Sequence, residues 1–466
     1  MNNKINVNME GYVSGLMQRA RNAQKTADSF SQERVDKLST AIAYFAVKED
    51  NAQRLAKLAL EETQMGDYES KYLKIQKKIR GVQRDIKNAK SVGIIEEIPE
   101  KGLVKIAKPV GVIGAIIPCT NPEITPVIKA MNAIKGRNAI VCSPHPRSQR
   151  TTLQTIQLMR EVLKKYDAPE DLIICAENST KETSVEIMRQ CDLVVATGGS
   201  AMVKAAYSSG TPAYGVGAGN VVVVVDETAN IKEAARKIKL SKTFDLASGC
   251  SCDNSAVIHE AIYDKVIEAL KSEGGYLANQ KEKEQLKKTM WIDGQLNKNI
   301  VAQPAFRIAD LAGLKIPHDQ KFLIVEEEGI GKEHPFSGEK MSVVLTVYKY
   351  KDFADAIAKV NSIQSYQGAG HSCGIYSIDD DHIEQLAIGT NTSRVMVNQP
   401  QNYGNSGDWC NGMPFTVTLG CGTWGGNITT ENIILKHYLN ITWVSRPINT
   451  VIPTDEELFG NIMHEN

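Results

Sequence analysis

A cysteine among small residues is the first feature of this sequence that suggests chemistry. The segment reads Ser248-Gly249-Cys250-Ser251-Cys252. Small neighbours let a backbone approach a substrate closely, and Gly249 permits unusual backbone angles. Such a thiol can act as a nucleophile once it is ionised. Free cysteines are more often buried as small apolar residues, so the segment alone leaves both interpretations open, with Cys252 as a rival nucleophile.

An asparagine follows an apolar stretch in Cys119-Thr120-Asn121-Pro122. Its side-chain amide is suited to donate a hydrogen bond to an oxygen that becomes negative during a reaction. The alternative is a turn or helix cap ahead of Pro122, a common use of asparagine.

Two glycine-containing segments suggest contact with a phosphate. Thr197-Gly198-Gly199-Ser200 lies between a predicted strand and a predicted helix, where backbone N–H groups can face an anion. The segment from Gly215 to Asn220 contains three glycines but precedes a strand. That position is unusual for a dinucleotide fingerprint, so this second segment alone indicates little.

Short apolar runs alternate with helical patterns after a helical first hundred residues. Parallel strands that are buried on both faces read as such runs, and the alternation predicts a doubly wound α/β sheet. A second α/β unit is predicted from Ile231. Its elements are a helix at Ile258–Lys271, a strand at Ser342–Tyr348 and a helix at Phe353–Asn361, and the end of the chain has strand character at Tyr438–Val444. The strands predicted in the first unit are Asn138–Cys142, Asp171–Cys175, Leu193–Ala196 and Val221–Val225.

Composition excludes several other classes. Lys plus Arg and Asp plus Glu each number 54, so the net charge of zero gives no reason to expect a nucleic acid or an anionic membrane as partner. No apolar stretch approaches the roughly 20 residues that span a bilayer. The polar start from Met1 to Gly11 does not resemble a secretory signal. Nine scattered cysteines fit a reducing cytoplasm, and no pair has zinc-site spacing, so no metal is expected.

Taken together, the motifs resemble the coenzyme-A-acylating branch of the aldehyde dehydrogenase superfamily over nearly the whole chain. The resemblance implies an α/β aldehyde dehydrogenase fold in a homodimer or homotetramer. Residues 1–230 would form a Rossmann-like cofactor domain, and residues 231–424 the catalytic domain. Residues 425–466 would return to the first domain and to a short oligomerisation strand. The anchors include Glu62-Thr63, Lys108-Pro109-Val110-Gly111-Val112, Ser143-Pro144-His145-Pro146-Arg147, Lys242-Thr243-Phe244-Asp245, Gly368-Ala369-Gly370-His371 and Gly420-Cys421-Gly422-Thr423-Trp424-Gly425-Gly426-Asn427.

The resemblance also implies roles for individual residues. Cys250 falls at the position of the nucleophile, and Asn121 with the Cys250 N–H would hold the oxyanion. NAD or NADP would bind with its pyrophosphate over Thr197-Gly198-Gly199-Ser200. Glu339 matches the residue that binds the nicotinamide ribose. Gly217 is also expected near the cofactor. His145, Pro146 and Arg147 would lie beside the adenosine ribose. His371 is expected to contact the cofactor, coenzyme A or the pocket, or to have a structural role.

Gly215 distinguishes the branches of the superfamily. Hydrolytic members carry a glutamate at this position, and this general base activates water at a gain of roughly 10²–10⁴-fold. A thiol such as coenzyme A ionises near pH ~8.5 and needs less help. Gly215 therefore predicts transfer of the acyl group to coenzyme A, with a hydrolytic dehydrogenase or a glutamyl-phosphate-reductase-like enzyme as alternatives.

Four segments resemble acylating sulfoacetaldehyde dehydrogenases most closely: residues 248–255, 334–340, 366–374 and 411–415. A sulfonate is ionised at every accessible pH, so its pocket must supply hydrogen-bond donors. Succinate semialdehyde, acetaldehyde and propionaldehyde are the alternative substrates. The residues predicted to contact substrate are Thr120, Ser251, Arg394, Asn402, Tyr403 and Thr416, with Asn405, Ser406 and Thr418 in the same loop region.

Overall fold

The framework of the molecule consists of two parallel sheets and one antiparallel sheet. The computed structural model describes the backbone of residues 2–465 and the side chains of residues 9–465. Its helices are α1 Asn2–Ala27, α2 Gln32–Val47, α3 Glu49–Thr63, α4 Tyr68–Ile86, α5 Thr125–Lys135, α6 Gln149–Lys165, α7 Lys181–Gln190, α8 Ser200–Tyr207, α9 Ile231–Thr243, α10 Tyr263–Ser272, α11 Gln280–Met290, α12 Ala305–Leu311, α13 Phe353–Tyr366, α14 Asp380–Gly389, α15 Gln401–Gly404 and α16 Asp455–Phe459.

The strands follow the predicted alternation with helices. They are β1 Gly93–Ile98, β2 Leu103–Pro109, β3 Val112–Ile117, β4 Ala139–Pro144, β5 Ile173–Cys175, β6 Leu193–Thr197, β7 Ala213–Val216, β8 Val221–Val225, β9 Asp253–His259, β10 Gly275–Leu277, β11 Trp291–Ile292, β12 Gln295–Leu296, β13 Phe322–Glu326, β14 Val344–Tyr350, β15 Cys373–Tyr376, β16 Val395–Val397 and β17 Leu439–Ser445.

The first parallel sheet has the order β5-β4-β3-β6-β7, with β3 at its centre. Every residue of β3 and β4 is buried, as expected for strands covered by helices on both faces. The order of the strands reverses at β3, as in a Rossmann-like sheet, and ligands of such sheets bind beyond the carboxyl ends of the strands. The predicted α/β fold is therefore confirmed. Asn121 and the Thr197–Ser200 segment both lie beyond such ends, after β3 and at the end of β6.

The second parallel sheet has the order β10-β13-β14-β9-β8-β15-β16. The run of valines from Val221 to Val225, which the sequence attached to the first unit, lies near the middle of this second sheet. That prediction was wrong because an apolar run is equally compatible with either core. The change of sheet falls between Val216 and Val221, ahead of the boundary predicted at residue 230.

The helix predicted from Ile258 begins later than expected. Residues Asp253–His259 form strand β9, and the helix α10 starts at Tyr263. Ile258 belongs to a fully buried strand, whose continuous apolar pattern cannot be distinguished from the buried face of a helix over a few residues.

The antiparallel sheet has the order β1-β2-β17, and β17 pairs along the whole of β2. The C-terminal strand therefore returns to the chain that leads into β3. Trp443 in β17 and the following Val451 and Ile452 are exposed apolar side chains. Among the described residues, no helix combines the length and apolar character that crossing a membrane requires.

Candidate active site

Cys250 lies in a loop between α9 and β9 that has an unusual backbone. Asp245, Leu246 and Ala247 have φ angles of 47°, 49° and 61°, in the left-handed region that non-glycine residues rarely occupy. Buried hydrogen bonds hold this turn in place. The Asp245 carboxylate accepts from Lys74 Nζ at 2.5 Å and from Ser248 Oγ at 2.5 Å. Backbone strain of this kind persists where the surroundings fix it, and it is typical of functional sites.

The two cysteines of the loop have different environments. Cys250 is partly exposed and lines a small cavity, whereas Cys252 is only 1% exposed. The Sγ of Cys252 lies 3.9 Å from the buried Lys242 Nζ. A nucleophile must reach its substrate, so the geometry supports Cys250 over Cys252.

His371 contacts the Cys250 thiol directly. Its Nε2 lies 3.3 Å from Cys250 Sγ, and its Nδ1 lies 2.8 Å from Ser372 Oγ. Burial, with a smaller contribution from the negative charge of Glu339, raises the pKa of Cys250 to about 12. Burial and the nearby Arg394 lower the pKa of His371 to about 3. The thiol and the imidazole are therefore both neutral at rest, and a proton transfer between them would create an ion pair.

Asn121 lines the same cavity as Cys250, and its orientation is fixed by a lysine. Lys74 Nζ donates to Asn121 Oδ1, while Asn121 Nδ2 donates to Thr120 Oγ1 at 3.2 Å. An amide nitrogen has two hydrogens, so one remains available for a ligand in the cavity. No hydrogen bond of the described chain uses the N–H of Cys250. The two groups expected to hold an oxyanion are thus free to do so.

Lysines of α4 are the part of the site that the sequence interpretation missed. Lys71, Lys74 and Lys78 lie at i, i+3 and i+7, which places them on one face of the helix. All three are buried, and Lys74 and Lys78 line the cavity. The signal was present in the sequence as three lysines interleaved with Ile75, Ile79 and Val82, although lysines on a helix usually lie on a solvated face. The cavity is lined by Lys74, Lys78, Asn121, Ile124, Phe244, Asp245, Ser248, Gly249, Cys250, Ser251, Asn402, Ser406, Thr416, Val417 and Leu419.

Three of the predicted substrate residues line this cavity, namely Ser251, Asn402 and Thr416. Asn402 packs against the nucleophile loop, since a Cβ at Gly249 would lie 2.7 Å from Asn402 Oδ1. Ser406, from the same loop region, also lines it.

Other predicted substrate residues lie outside the cavity. The Tyr403 ring packs on the Phe244 ring with their centroids 4.8 Å apart. The Thr120 hydroxyl accepts a hydrogen bond from the side-chain amide of Asn121. Asn405 bonds to Gln401.

Arg394 does not reach the cavity, contrary to the prediction. Its guanidinium donates to the carbonyl oxygens of His371, Gly420 and Thr430 at 2.9, 2.6 and 3.0 Å. It is 95% buried by protein and connects the His371 segment to the C-terminal loop. These hydrogen bonds make Arg394 a structural support of His371. They depend on the folded positions of distant segments, so the local sequence could not predict them.

A second cleft, of about 450 Å³, opens between α8 and the segment of residues 364–369. Ser200 and Gly217, both predicted to contact the cofactor, line it. A Cβ built at Gly199 or at Gly217 would have no atom within 4 Å, so the backbone there faces open space. The first N–H groups of a helix have no partner within it, and this cleft could therefore receive a phosphate at the start of α8.

The linker from the first sheet to the second connects the cleft to the nucleophile. A Cβ at Gly219 would lie only 2.0 Å from the carbonyl oxygen of Cys250. The N–H of Gly219 donates to Glu339 Oε1 at 3.2 Å, and burial raises the pKa of Glu339 to about 7. Gln367, which lines the cleft, accepts from the Glu339 N–H at 2.9 Å. Glu339 therefore lies between the cleft and Cys250.

The remaining predicted cofactor residues do not line this cleft. His145 accepts from the N–H of Arg147 at 3.1 Å, next to Pro146 in the turn after β4, and Arg147 donates to Thr63 O at 3.3 Å. The Thr197 hydroxyl bonds to that of Thr418 at 3.1 Å, which connects β6 to the C-terminal loop.

One group of potential metal ligands occurs in the described residues, away from the cavity. Asp226, Glu227 and His382 have ligand atoms within 4.8 Å of one another. Both oxygens of Asp226 already accept hydrogen bonds from the protein, including one from Thr228 at 2.7 Å. The absence of a metal stays a prediction.

Comparisons with known proteins agree with this architecture. Residues 7–288 match the aldehyde dehydrogenase family. The chain is 44% identical to a sulfoacetaldehyde dehydrogenase from an Acholeplasma species, covering 97% of this chain and 94% of that protein. It is 45% identical to an acylating sulfoacetaldehyde dehydrogenase from Bilophila wadsworthia, with 96% and 98% covered.

Solved structures give the same result. An acetylating aldehyde dehydrogenase from Geobacillus thermoglucosidasius matches with a TM-score of 0.92 at 38% identity, covering 97% of this chain and 99% of that one. A propionaldehyde dehydrogenase from Rhodopseudomonas palustris with bound propionyl-CoA matches with a TM-score of 0.84 at 27% identity, covering 93% and 94%. An engineered glycolyl-CoA reductase with bound NADP⁺ also has a TM-score of 0.84 at 27% identity, covering 93% and 96%. This chain belongs to the aldehyde dehydrogenase family, and the resemblance to its acylating members is confirmed.

Proposed function

We propose that this protein oxidises sulfoacetaldehyde to sulfoacetyl-coenzyme A with NAD or NADP, through a thioester on Cys250. The contact between Cys250 Sγ and His371 Nε2, at 3.3 Å beside Asn121, is the observation that carries the proposal. The names of the two curated relatives support the aldehyde, and the solved structures with propionyl-CoA and NADP⁺ support the two co-substrates.

The reaction would begin at Cys250. The imidazole of His371 takes the thiol proton, and the thiolate adds to the aldehyde carbon while the carbonyl electrons move to oxygen. Asn121 Nδ2 and the Cys250 N–H donate to that oxyanion. A bound nicotinamide would accept the hydride from the same carbon as the oxyanion collapses, which would leave a thioester on Cys250.

Release of the product requires a second thiol. His371 would first release the Cys250 proton to solvent. Coenzyme A then adds to the thioester carbon while His371 accepts its thiol proton, and the expelled Cys250 thiolate takes that proton back from His371 as acyl-coenzyme A forms. Nicotinamide cofactor would fit the cleft at α8, where Gly199 and Gly217 leave the backbone open. Glu339, which accepts from the Gly219 N–H next to the Cys250 carbonyl, would bind the nicotinamide ribose.

Hydrolysis of the thioester is the competing function, and one observation favours it. Glu339 carries a carboxyl group near Cys250 whose pKa, raised by burial to about 7, suits a general base. Against it, Gly215 offers no carboxylate, and a Cβ there would lie 3.0 Å from the Tyr207 ring. Tyr207 OH also bonds to the backbone of Gly215. The usual position of a hydrolytic base is therefore filled by an aromatic ring.

Omitting coenzyme A distinguishes acyl transfer from hydrolysis. With sulfoacetaldehyde and nucleotide alone, we expect a burst of at most one equivalent of reduced nucleotide per site, followed by negligible turnover. Absorbance of the reduced nucleotide measures the burst, and mass spectrometry of the intact protein measures the acyl group on Cys250. Sustained turnover to the free acid would establish the hydrolytic reaction instead.

We also propose that the protein is a homodimer or homotetramer assembled through the β1-β2-β17 sheet. The support is the exposed apolar surface of β17 and of the residues that follow it, which include Trp443 at 55% exposed. Light scattering after gel filtration gives the oligomer mass. A mass equal to one chain would contradict the proposal.

A further inference from the structure

Lys78 is a buried cation beside the nucleophile that the proposed reaction does not use. It lies in α4, is 6% exposed and lines the cavity that contains Cys250 and Asn121. Its ammonium donates to Ser406 Oγ at 2.6 Å and to Gly407 O at 2.7 Å. These acceptors belong to the C-terminal loop and are uncharged.

Lys78 has no counter-ion in the part of the chain that the structure describes. Two carboxylates beside α4 are paired with other lysines, since Asp245 contacts Lys74 at 2.5 Å and Asp408 contacts Lys77 at 2.6 Å. The cavity walls carry two lysines, Lys74 and Lys78, and one carboxylate, Asp245. With Lys78 protonated, the cavity walls therefore carry one positive charge in excess.

A buried charge without a counter-ion costs free energy, so an anionic ligand that paired with Lys78 in the cavity would be bound favourably. The aldehyde carbon must reach Cys250 near Asn121, and any group attached to that carbon must occupy the remainder of the same cavity. Lys78 and the Ser406 hydroxyl, which accepts from Lys78 and keeps its own hydrogen to donate, both face that space.

We infer that Lys78 determines the substrate class by binding a negatively charged group on the carbon next to the aldehyde, with Ser406 as a second donor. The inference rests on the proposed function for the identity of the reaction. Lys78 lies outside the C-terminal loop, where the sequence predicted the anion site. It takes the place of Arg394 as the cation of that site.

A structural role for Lys78 predicts a different outcome. Its hydrogen bonds also fasten residues 403–407 to α4, and loss of that attachment would impair every aldehyde equally. An anion anchor affects only charged substrates, so the ratio of kcat/KM for a charged and an uncharged aldehyde separates the two roles.

The test compares sulfoacetaldehyde and propionaldehyde in the intact enzyme and in Lys78→Met. We expect kcat/KM for sulfoacetaldehyde to fall roughly 10- to 100-fold, the loss of a hydrogen bond to a charged group, and kcat/KM for propionaldehyde to change less than about threefold. Lys77→Met is the matched control, because Lys77 is adjacent in α4 and bonds to the same loop through Asp408, but does not line the cavity. It should leave the ratio unchanged at about pH 6, where Lys78 is protonated with or without the neighbouring Lys77 charge. Equal losses for both aldehydes in Lys78→Met would overturn the inference.

A probe that is independent of turnover separates this inference from the proposed reaction. Ethanesulfonate, a non-reactive sulfonate of similar size, should slow alkylation of Cys250 by iodoacetamide in the wild-type protein and in Lys77→Met. In Lys78→Met that protection should be lost, as measured by mass spectrometry of the peptide that contains Cys250. Protection that survives in Lys78→Met would contradict the anchor. Failure of the wild-type protein to form any acyl-coenzyme A would contradict the proposed function, while the protection experiment would still decide on Lys78.

Discussion

The cavity and the cleft near Cys250 are constructed in opposite ways. The cavity is surrounded by interlocked buried charges, in which Lys74 holds both Asp245 and Asn121. The cleft is bordered by backbone that faces open space at Gly199 and Gly217. Groups that must stay within a fraction of an ångström during bond formation are fixed by packing and ion pairs. At these two points the cleft has glycines in place of side chains, which leaves room for a large ligand.

The largest effect that this contrast predicts is at the nucleophile. Cys250→Ala removes the one thiol among the described residues that line the cavity. Oxidation of aldehyde should therefore become undetectable while the fold is retained. Cys252→Ala is the control, because Cys252 is buried and should keep most activity. Initial rates and the thermal midpoint of each variant check this. The assignment is wrong if the two results are reversed.

A smaller effect is expected at the oxyanion donor. Asn121→Ala should lower kcat by about 10²–10³-fold, the usual consequence of losing one such donor. Asn121→Asp retains the size but removes the donating nitrogen, and should be similarly impaired. Steady-state rates at saturating nucleotide measure both. A loss below tenfold would show that Asn121 acts only as a turn residue.

Two glycines of one linker sharpen the comparison, because one faces the nucleophile and the other faces the cleft. In Gly219→Ala, the new Cβ would lie 2.0 Å from Cys250 O, so the loop must shift, and we expect at least a roughly tenfold loss of kcat. In Gly217→Ala, the Cβ meets no atom within 4 Å, so kcat should be retained with a change of a few-fold in KM for the nucleotide. Similar kinetics for the two variants would show that the cavity and the cleft are not distinct.

The smallest effect concerns pH. Burial is the main reason that the pKa of Lys78 is lowered to about 7. The positive charges of Lys77 and Lys74 also lower this pKa, and the negative charge of Asp408 partly offsets them. The protonated form binds the anion, so preference for sulfoacetaldehyde over propionaldehyde should be nearly constant below about pH 6, halved near pH 7 and lowered about tenfold by about pH 8. Taking the ratio of kcat/KM values removes the contribution of Cys250 ionisation. A ratio independent of pH would contradict the assignment. The charged or titratable groups facing Lys78 are Lys74, Lys77, Asp245, Tyr403 and Asp408.

The sequence predicted the elements with strong local patterns. The strands β4, β5 and β6 of the first sheet lie within two residues of their predicted positions, because short buried apolar runs report local geometry. Cys250 and Asn121 were identified as site residues through a resemblance to a family, and the structure brings both to one cavity.

Features that depend on distant contacts were not predictable. The valine run of β8 was assigned to the first sheet because nothing in five valines specifies which neighbours they join. Lys78 was overlooked since its partners Ser406 and Gly407 lie more than 300 residues away in the sequence. Arg394 was expected to face the substrate because an arginine near a polar loop is compatible with either role until its acceptors are known.

The linker at Gly219 has a mechanical consequence. It joins the sheet that carries the start of α8 to the sheet that carries Cys250. Gly219 lies so close to the Cys250 carbonyl that there is no room for a methyl group between them. A rotation of one sheet against the other would therefore be transmitted through Gly219 to the nucleophile loop. Binding of a ligand in the cleft that moved the first sheet would thus also move the backbone of Cys250.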